Sequence, residues 1–323
     1  MVKRIKVLGA GAVGCLVGGL LACGGQEVVF SGSEEVEKAL GKQGLRIRLP
    51  DRPLKLAKPS SRELEGYDFL LVTLKRQQLK ALKPAHIARV PLRPGGRIVF
   101  FNCDPEDARL LAPEGVDFHL CLSLLTAVML QPGDVELPAA KAYLVLEKNP
   151  QLRELFSCLK SFAVELLEVD AISPYANSFF LWQSLFLPVA LCHSTYDHFL
   201  SYAEGREMAR YVLTEALETL VRSGRSLKKL PWQDPQELLK RVEKHEREFE
   251  EARYRPDRAY NSLLQSILRG KVTEARELNG RVVKMAAEAG VDALWNWKLT
   301  QKLNRVLQVG FFKDPARLYQ AAK

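Results

Sequence analysis

An α/β domain built on a parallel, doubly wound sheet and followed by an all-helical domain is the architecture this sequence predicts. Three observations predict it. Short apolar runs alternate with helical patterns through the first half, a glycine-rich turn separates the first run from the first helix, and beyond Pro174 long helical patterns leave few strand signals. The boundary falls near Ile172-Ser173-Pro174, giving an N-terminal domain of residues 1–171 and a helical domain of residues 172–323.

The first strands are expected at Ile5 to Leu8, Glu27 to Phe30, Phe69 to Thr73 and Arg97 to Asn102. Between the first two lies an apolar helix, Val13 to Cys23, ended by Gly24-Gly25. Leu120 to Leu130, a turn at Gln131-Pro132-Gly133-Asp134, then Val135 to Leu137 and Ala142 to Leu146 read as further strands near the edge of the same sheet. A helix from Pro150 to Phe162 and a strand at Glu165 to Val169 close the domain. Beyond it, helices are expected at Pro174 to Leu200, Arg206 to Ser223, Pro235 to Ala252, Ser262 to Arg269, Thr273 to Ala289 and Asp292 to Val309. Ser173-Pro174 and Asp234-Pro235 open helices, while Gly224 and Gly290 follow helix ends.

Composition excludes several function classes. The balance of 47% hydrophobic and 26% charged residues is that of a soluble globular chain, with no apolar run of the roughly 18 to 20 residues that a membrane span needs. The N-terminal apolar run is broken by Gly9, Gly11, Gly14, Gly18 and Gly19, unlike a secretory leader. Six scattered cysteines without a C-x-x-C pair predict neither a zinc site, nor any other metal, nor a disulfide framework, and fit a reducing cytoplasm. The net charge of +9 is spread over both halves. Only Lys240 to Arg258 is densely charged, and its signs alternate as on a solvated helix face, so nucleic acid is not an expected partner. The positive excess would instead help attract an anionic cofactor or substrate.

The stretch VLGAGAVG carries Gly9, Gly11 and Gly14 as G-x-G-x-x-G, following a strand and opening a helix inside a βαβ unit. In that context Gly9 permits a tight turn, Gly11 lets a pyrophosphate approach the backbone, and Gly14 lets helix and strand pack closely. The N–H groups at the helix start, from Ala12, Val13 and Gly14, then face the phosphates. The second strand ends Phe30-Ser31-Gly32-Ser33. Ser31 and Ser33 offer hydroxyls and neither an acid nor an arginine stands at the tip, which favours NADP and leaves NAD open.

Four segments together resemble the ketopantoate reductase (2-dehydropantoate 2-reductase) family: VLGAGAVG, VTLKRQQ at Val72 to Gln78, Phe101-Asn102-Cys103, and the run from Asn261 to Val291. Lys75 matches the family's substrate- or cofactor-facing lysine, and Asn102 its asparagine between Gln and Gly. Ser262, Thr273, Glu274, Asn279 and Gly280 match Ser-Met-x-x-Asp, Thr-Glu-Ile-Asp and Asn-Gly, whereas Ser266 and Arg276 replace two of the acids. The resemblance implies a Rossmann-like domain and hydride reduction, with NADPH, of ketopantoate to pantoate or of a related 2-keto acid, a step of pantothenate biosynthesis. It implies catalytic roles for Glu274, Lys75 and Asn102, cofactor contacts from Lys75 and Asn102, and substrate contacts from Gln183, Ser262 and Glu274.

The family also places a lysine on the first long helix of the second domain, as proton donor or carbonyl polariser. Here no Lys or Arg occurs between Lys160 and Arg206. Aligning Pro188 with the family's Asn-Pro puts Phe179 at the lysine position, Gln183 at the first asparagine and Leu187 at the second. His193 and Asp197, four apart and so on one helix face, offer a substitute general acid; a packed or surface histidine is the alternative. Lys75 either reaches the carbonyl or is a solvated strand-end lysine. Phe179, Trp182 and Phe186 follow helical spacing and read as core or cleft wall. Two functions stay open: a reductase of a small-molecule 2-keto acid, or a dinucleotide-binding relative without turnover that acts as a binding or regulatory protein. Periodicity does not distinguish packing of Asp292 to Val309 on a cleft from packing on a second subunit of a homodimer.

Overall fold

Apolar, β-branched runs supply the strands of the first unit: β1 (Arg4–Leu8), β2 (Glu27–Ser31), β3 (Leu45–Arg48), β4 (Lys55–Ala57), β5 (Tyr67–Val72), β6 (Leu92–Phe101), β7 (Phe118–Leu124), β8 (Val128–Gln131), β9 (Asp134–Glu136), β10 (Ala142–Glu147) and β11 (Val164–Val169). Between them lie α1 (Ala12–Cys23), α2 (Glu34–Gln43), α3 (Arg76–Ala81), α4 (Pro84–Ala88), α5 (Pro105–Leu111) and α6 (Pro150–Phe156). A computed structural model describes residues 1–50, 52–60, 62–139, 141–244 and 261–323. These divide into two units, Met1–Ile172 and Ser173–Lys323.

The first unit is Rossmann-like, as expected. Its main sheet has the order β11-β10-β7-β6-β5-β1-β2, parallel throughout except where β10 runs antiparallel to β7. One expectation is corrected. β8 and β9 do not extend this sheet but join β3 and β4 in a second, four-stranded sheet of order β4-β3-β9-β8. Leu45 and Ile47 of β3 are buried, while Arg48 makes a two-pronged pair with buried Asp134 of β9 at 2.9 and 2.8 Å, so the short LRIR alternation is decided by a partner distant in sequence.

Helix α1 is clasped between the two sheets because it carries glycine where they approach. A Cβ on Gly18 would lie 2.8 Å from the Phe30 ring of β2, and one on Gly19 would lie 2.6 Å from Leu45 of β3. In the middle of β1, Lys6 is 7% exposed, in register between Val29 and Leu70. A buried ammonium needs a partner. Lys6 pairs with Glu63, whose other oxygen accepts the Tyr67 hydroxyl at 2.5 Å. Desolvation works to raise the Glu63 carboxyl, but the bonds from Lys6 and Tyr67 and the Lys6 charge outweigh it and leave it below its usual range. Burial and the bond to Glu63 push the Tyr67 phenol up to about 12.

The second unit is helical: α7 (Ser173–Gln183), α8 (Phe186–Leu191), α9 (Tyr196–Ser201), α10 (Ala203–Arg222), α11 (Leu238–Lys244), α12 (Ser262–Leu268), α13 (Asn279–Ala289), α14 (Leu294–Val309) and α15 (Pro315–Ala322). Its core forms around α10, whose Met208, Ala209, Val212, Leu213, Ala216 and Leu220 are buried. The single helix expected from Pro174 to Leu200 is instead three. Pro188 has no N–H for the carbonyl of Ser184, and the chain reverses at His193 with φ 49° before Thr195 caps α9 by accepting the His198 N–H. The helix expected from Thr273 begins only at Asn279, because Leu278 at φ −103°, ψ −96° lies outside helical geometry. The 245–252 part of the helix expected at Pro235 to Ala252, and the 245–258 part of the charged run, lie outside the described residues. No helix among the described residues is long and apolar enough to cross a membrane.

A lowered carboxyl in the native state means that Glu63 binds its proton less readily folded than unfolded. Its pairing therefore stabilises the fold above the ordinary carboxylate range, and that contribution is lost as pH falls through the folded value. Urea midpoints at about pH 7 and about pH 3 should differ less in Glu63→Gln than in the parent chain; an equal fall in both would show that the pairing of buried Lys6 with Glu63 does not couple folding to pH.

Candidate functional site

β1 ends at Leu8 and the chain turns at Gly9 with φ 109°, a backbone that suits glycine. The N–H groups of Gly9 and Ala10 donate to the Ser31 carbonyl at 2.8 and 3.1 Å, tying this turn to the tip of β2. The first helical bond of α1 runs from the Cys15 N–H to the Gly11 carbonyl at 2.8 Å. The N–H groups of Ala12, Val13 and Gly14 thus precede any intrahelical acceptor, and no acidic side chain stands in the first turn to compete for them. A Cβ at Gly11 would meet nothing within 4 Å, so the loop presents an open backbone there. Gly14 is the opposite case: a Cβ would lie 2.2 Å from the Gly9 carbonyl oxygen and 2.4 Å from Thr73 Oγ1. These residues fit an anion the size of a pyrophosphate: donors without an intrahelical acceptor, an open glycine beside them, and no acidic side chain in the first turn of α1.

The neighbouring strands β5 and β6 end on the same edge of the sheet. Thr73, just past β5, donates through Oγ1 to the Gly9 carbonyl at 2.7 Å. Lys75 is half-buried at the start of α3, where its N–H donates to Gln78 Oε1 at 3.0 Å. Arg76 pairs with Asp104 and lies 3.6 Å from Asp107, joining the loop after β5 to the loop after β6. Asn102, at φ 52°, uses its amide on β7: Oδ1 accepts the Ser123 N–H at 2.8 Å and Nδ2 donates to Ser123 Oγ at 2.6 Å. Beside it, burial and the charge of Asp107, opposed by Arg76, push the Cys103 thiol up to about 12, so it stays neutral.

At the tip of β2, Ser31 is half-buried and Ser33 is exposed, immediately before α2. Glu37, on the first turn of α2, turns back so that its Oε1 accepts the Gly32 N–H at 2.8 Å. The sequence reading had no acid at this tip, because the carboxylate arrives from the helix rather than from the strand.

In the helical unit, two asparagines anchor the segment that the resemblance singles out. Asn279 Nδ2 donates to the Ser184 carbonyl at 2.8 Å and Asn261 Nδ2 to the Phe186 carbonyl at 3.0 Å. Both ends of the 261–279 segment therefore attach to the junction of α7 and α8, next to Gln183, the half-buried last residue of α7. Ser262 is exposed at the start of α12, and Glu274 is half-buried in the turns ahead of α13, its carbonyl accepting the N–H groups of Glu277 and Leu278. Phe179 is half-buried, and Trp182 and Phe186 are core residues. His193 does not share a helix with Asp197. It lies in the left-handed turn between α8 and α9, packed against Phe311 with ring centroids 4.7 Å apart, so the i, i+4 argument for a His–Asp couple fails.

A polar brace in this unit went unrecognised in the sequence. Asn279 also donates to Asn296 Oδ1 at 2.8 Å, and Asn296 Nδ2 donates to Glu215 Oε2 at 2.8 Å. Glu215 in turn accepts the backbone N–H groups of Trp295 and Asn296 and so caps α14 from a neighbouring helix. Desolvation raises the Glu215 carboxyl above its usual value despite these three bonds. A mid-helix glutamate gives no local sign that it caps another helix.

Residues 5–98 match the family model described as ketopantoate reductase PanE/ApbA, and residues 180–307 match the one described as ketopantoate reductase PanE/ApbA C terminal. The 2-dehydropantoate 2-reductase of Pyrococcus abyssi is 24% identical over 307 residues, covering 91% of this chain and 94% of that protein. A PanE/ApbA family ketopantoate reductase from Ralstonia eutropha superposes with a TM-score of 0.75 at 21% identity, over 94% of this chain and 98% of that one. D-mandelate dehydrogenase, solved with NADH and anilino(oxo)acetate, also gives a TM-score of 0.75, at 17% identity and with the same coverages.

Gly14→Ala should destabilise the first unit by about 1–3 kcal/mol, since the methyl meets the Gly9 backbone carbonyl and the short Thr73 hydroxyl bonded to it; an unchanged urea midpoint would show that α1 does not rest on the turn. The Asn279-Gly280 pair should divide. Asn279→Ala leaves the Ser184 carbonyl without its donor, at a loss of about 1–3 kcal/mol. Gly280→Ala, whose Cβ meets only ordinary 3.7 Å contacts, should change the unfolding free energy by no more than about 0.5 kcal/mol.

Proposed function

The chain belongs to the ketopantoate reductase PanE/ApbA family, and from that premise we propose that it is a nicotinamide-dependent reductase of a 2-keto acid, ketopantoate or a related one. The observation that carries this reading is the start of α1, where three N–H groups without an intrahelical acceptor and the open backbone of Gly11 lie at the carboxyl end of a parallel sheet. Residues 1–171 would hold the dinucleotide and 172–323 contribute the substrate contacts, in a soluble cytoplasmic enzyme. The reduced dinucleotide supplies the hydride when bound.

The chain's own residues then have distinct tasks. Gly9 fixes the turn, and Ala12, Val13 and Gly14 donate to the pyrophosphate. As negative charge develops on the keto oxygen, an ammonium nearby stabilises it, and Lys75 takes that role in place of the lysine that Phe179 displaces. Asn102 holds the ends of β6 and β7 in register and so fixes the loop facing the nicotinamide. Glu274 accepts a hydroxyl or ammonium proton, with Gln183 and Ser262 as further polar contacts to substrate.

A second reading, dinucleotide binding without turnover, is favoured by Phe179 itself and by the absence of any Lys or Arg between Lys160 and Arg206. Nicotinamide absorbance, followed with both reduced cofactors across a panel of 2-keto acids that includes ketopantoate, separates the two. Turnover of at least one acid is expected, lost in Gly11→Asp with the fold intact and lowered about 100-fold or more in Lys75→Ala. Binding without turnover across the panel establishes the second reading. Undiminished dinucleotide affinity in Gly11→Asp refutes the assignment of the loop.

A further inference from the structure

We propose that this chain selects NADH over NADPH, and that Glu37 is the residue that enforces the choice; the inference rests on the dinucleotide reading of the glycine loop. The place where the two cofactors differ, the ribose 2′ position, falls at the tip of the second strand of such a fold. Here that tip is joined to the glycine turn: Gly9 and Ala10 donate to the Ser31 carbonyl, and a Cβ on Gly32 would lie 2.6 Å from that of Ala10. Gly32 thus stands against the loop, and its N–H is a donor that a 2′-phosphate would use. Glu37 already occupies it, with Oε1 at 2.8 Å.

The charges around this donor point the same way. A 2′-phosphate brings up to two negative charges and needs cationic or N–H partners. From Val7 to Glu37 the sequence has no Lys or Arg, while Glu34, Glu35 and Glu37 all stand in the first turn of α2. Lys38 is committed to Glu34 at 2.6 Å, on the exposed side of the helix. A phosphate at Gly32 would therefore have to displace the Glu37 carboxylate or sit beside it, with Glu35 close in sequence. A ribose 2′-hydroxyl has neither difficulty, since it can donate a hydrogen bond to a carboxylate anchored in this way. Ser31 and Ser33 serve a hydroxyl equally well and so do not decide between the cofactors. Glu37 is exposed, so its substitution leaves the core untouched.

The test is a pair of fluorescence titrations of the full chain, with NADH and with NADPH, repeated on Glu37→Gln and Glu37→Arg. NADH should bind about tenfold or more tightly than NADPH, as expected for a like-charge juxtaposition removed from one ligand and imposed on the other. Glu37→Gln should narrow that ratio chiefly by improving NADPH, and Glu37→Arg should invert it. NADPH binding as tightly as NADH to the parent chain overturns the proposal while leaving the dinucleotide reading in place. A preference for NADH that survives unchanged in both variants overturns the role of Glu37. Binding of neither dinucleotide, with the chain folded by circular dichroism, overturns the reading of the loop and this inference with it.

Discussion

What the first unit presents to a ligand depends on how closely α1 lies on the turn that precedes it. The absence of a side chain at Gly14 lets the Gly9 carbonyl and the Thr73 hydroxyl occupy the space a Cβ would fill, and those two groups bond to each other at 2.7 Å. The turn, the end of β5 and the first turn of α1 are thereby fixed together, and the direction of the helix N–H groups is set by that contact. The same helix is held further along by Gly18 against β2 and Gly19 against β3, so the aim of its N-terminus is secured by packing on two sheets rather than by a capping side chain. Anion recognition by backbone requires that rigidity, because N–H donors cannot move to meet a ligand as side chains can.

The helical unit is ordered by a different constraint, a carbonyl that its own helix cannot satisfy. Pro188 provides no N–H for Ser184, and a buried carbonyl without a donor is costly. Asn279, 95 residues on, supplies it and in doing so connects to Asn296 and Glu215. Asn261 makes a parallel bond to Phe186. The proline thus creates a docking point for the segment that carries Ser262 and Glu274. The match of Asn279 to the family pattern has this backbone bond as its structural counterpart.

Sequence periodicity made the alternation of strands and helices legible, as well as the glycine turn, because each is a local pattern with a local cause. What it missed was decided by partners far along the chain. β3 and β4 are short, and become strands by pairing with β9 and with each other. The His193–Asp197 couple looked sound on an ideal helix and dissolved where Pro188 and a left-handed turn broke that helix. Glu37 shows a different, local limit at the site itself: the end of β2 reads as acid-free, yet a carboxylate five residues on turns back to it from the next helix.

Charge placement gives the proposed site an unusual character for a basic protein. The chain carries a net +9, yet neither the βαβ segment from Val7 to Glu37 nor the stretch between Lys160 and Arg206 contains a cation. Among the residues that the family resemblance brings to the chemistry, Lys75 is the single positive side chain. On the proposed reading, phosphate recognition would fall to helix and turn N–H groups, whose partial charges favour a pyrophosphate but give no extra hold on a third phosphate. Carbonyl polarisation would, on the same reading, fall on one ammonium, supplied by the segment after β5 rather than by the helix that the resemblance implies. Such an arrangement accommodates the loss of the lysine at Phe179 only if the substrate's own carboxylate needs no strong cationic clamp on that helix. In the helical unit Phe179 then presents a half-buried aromatic ring at the position where the resemblance implies a charge.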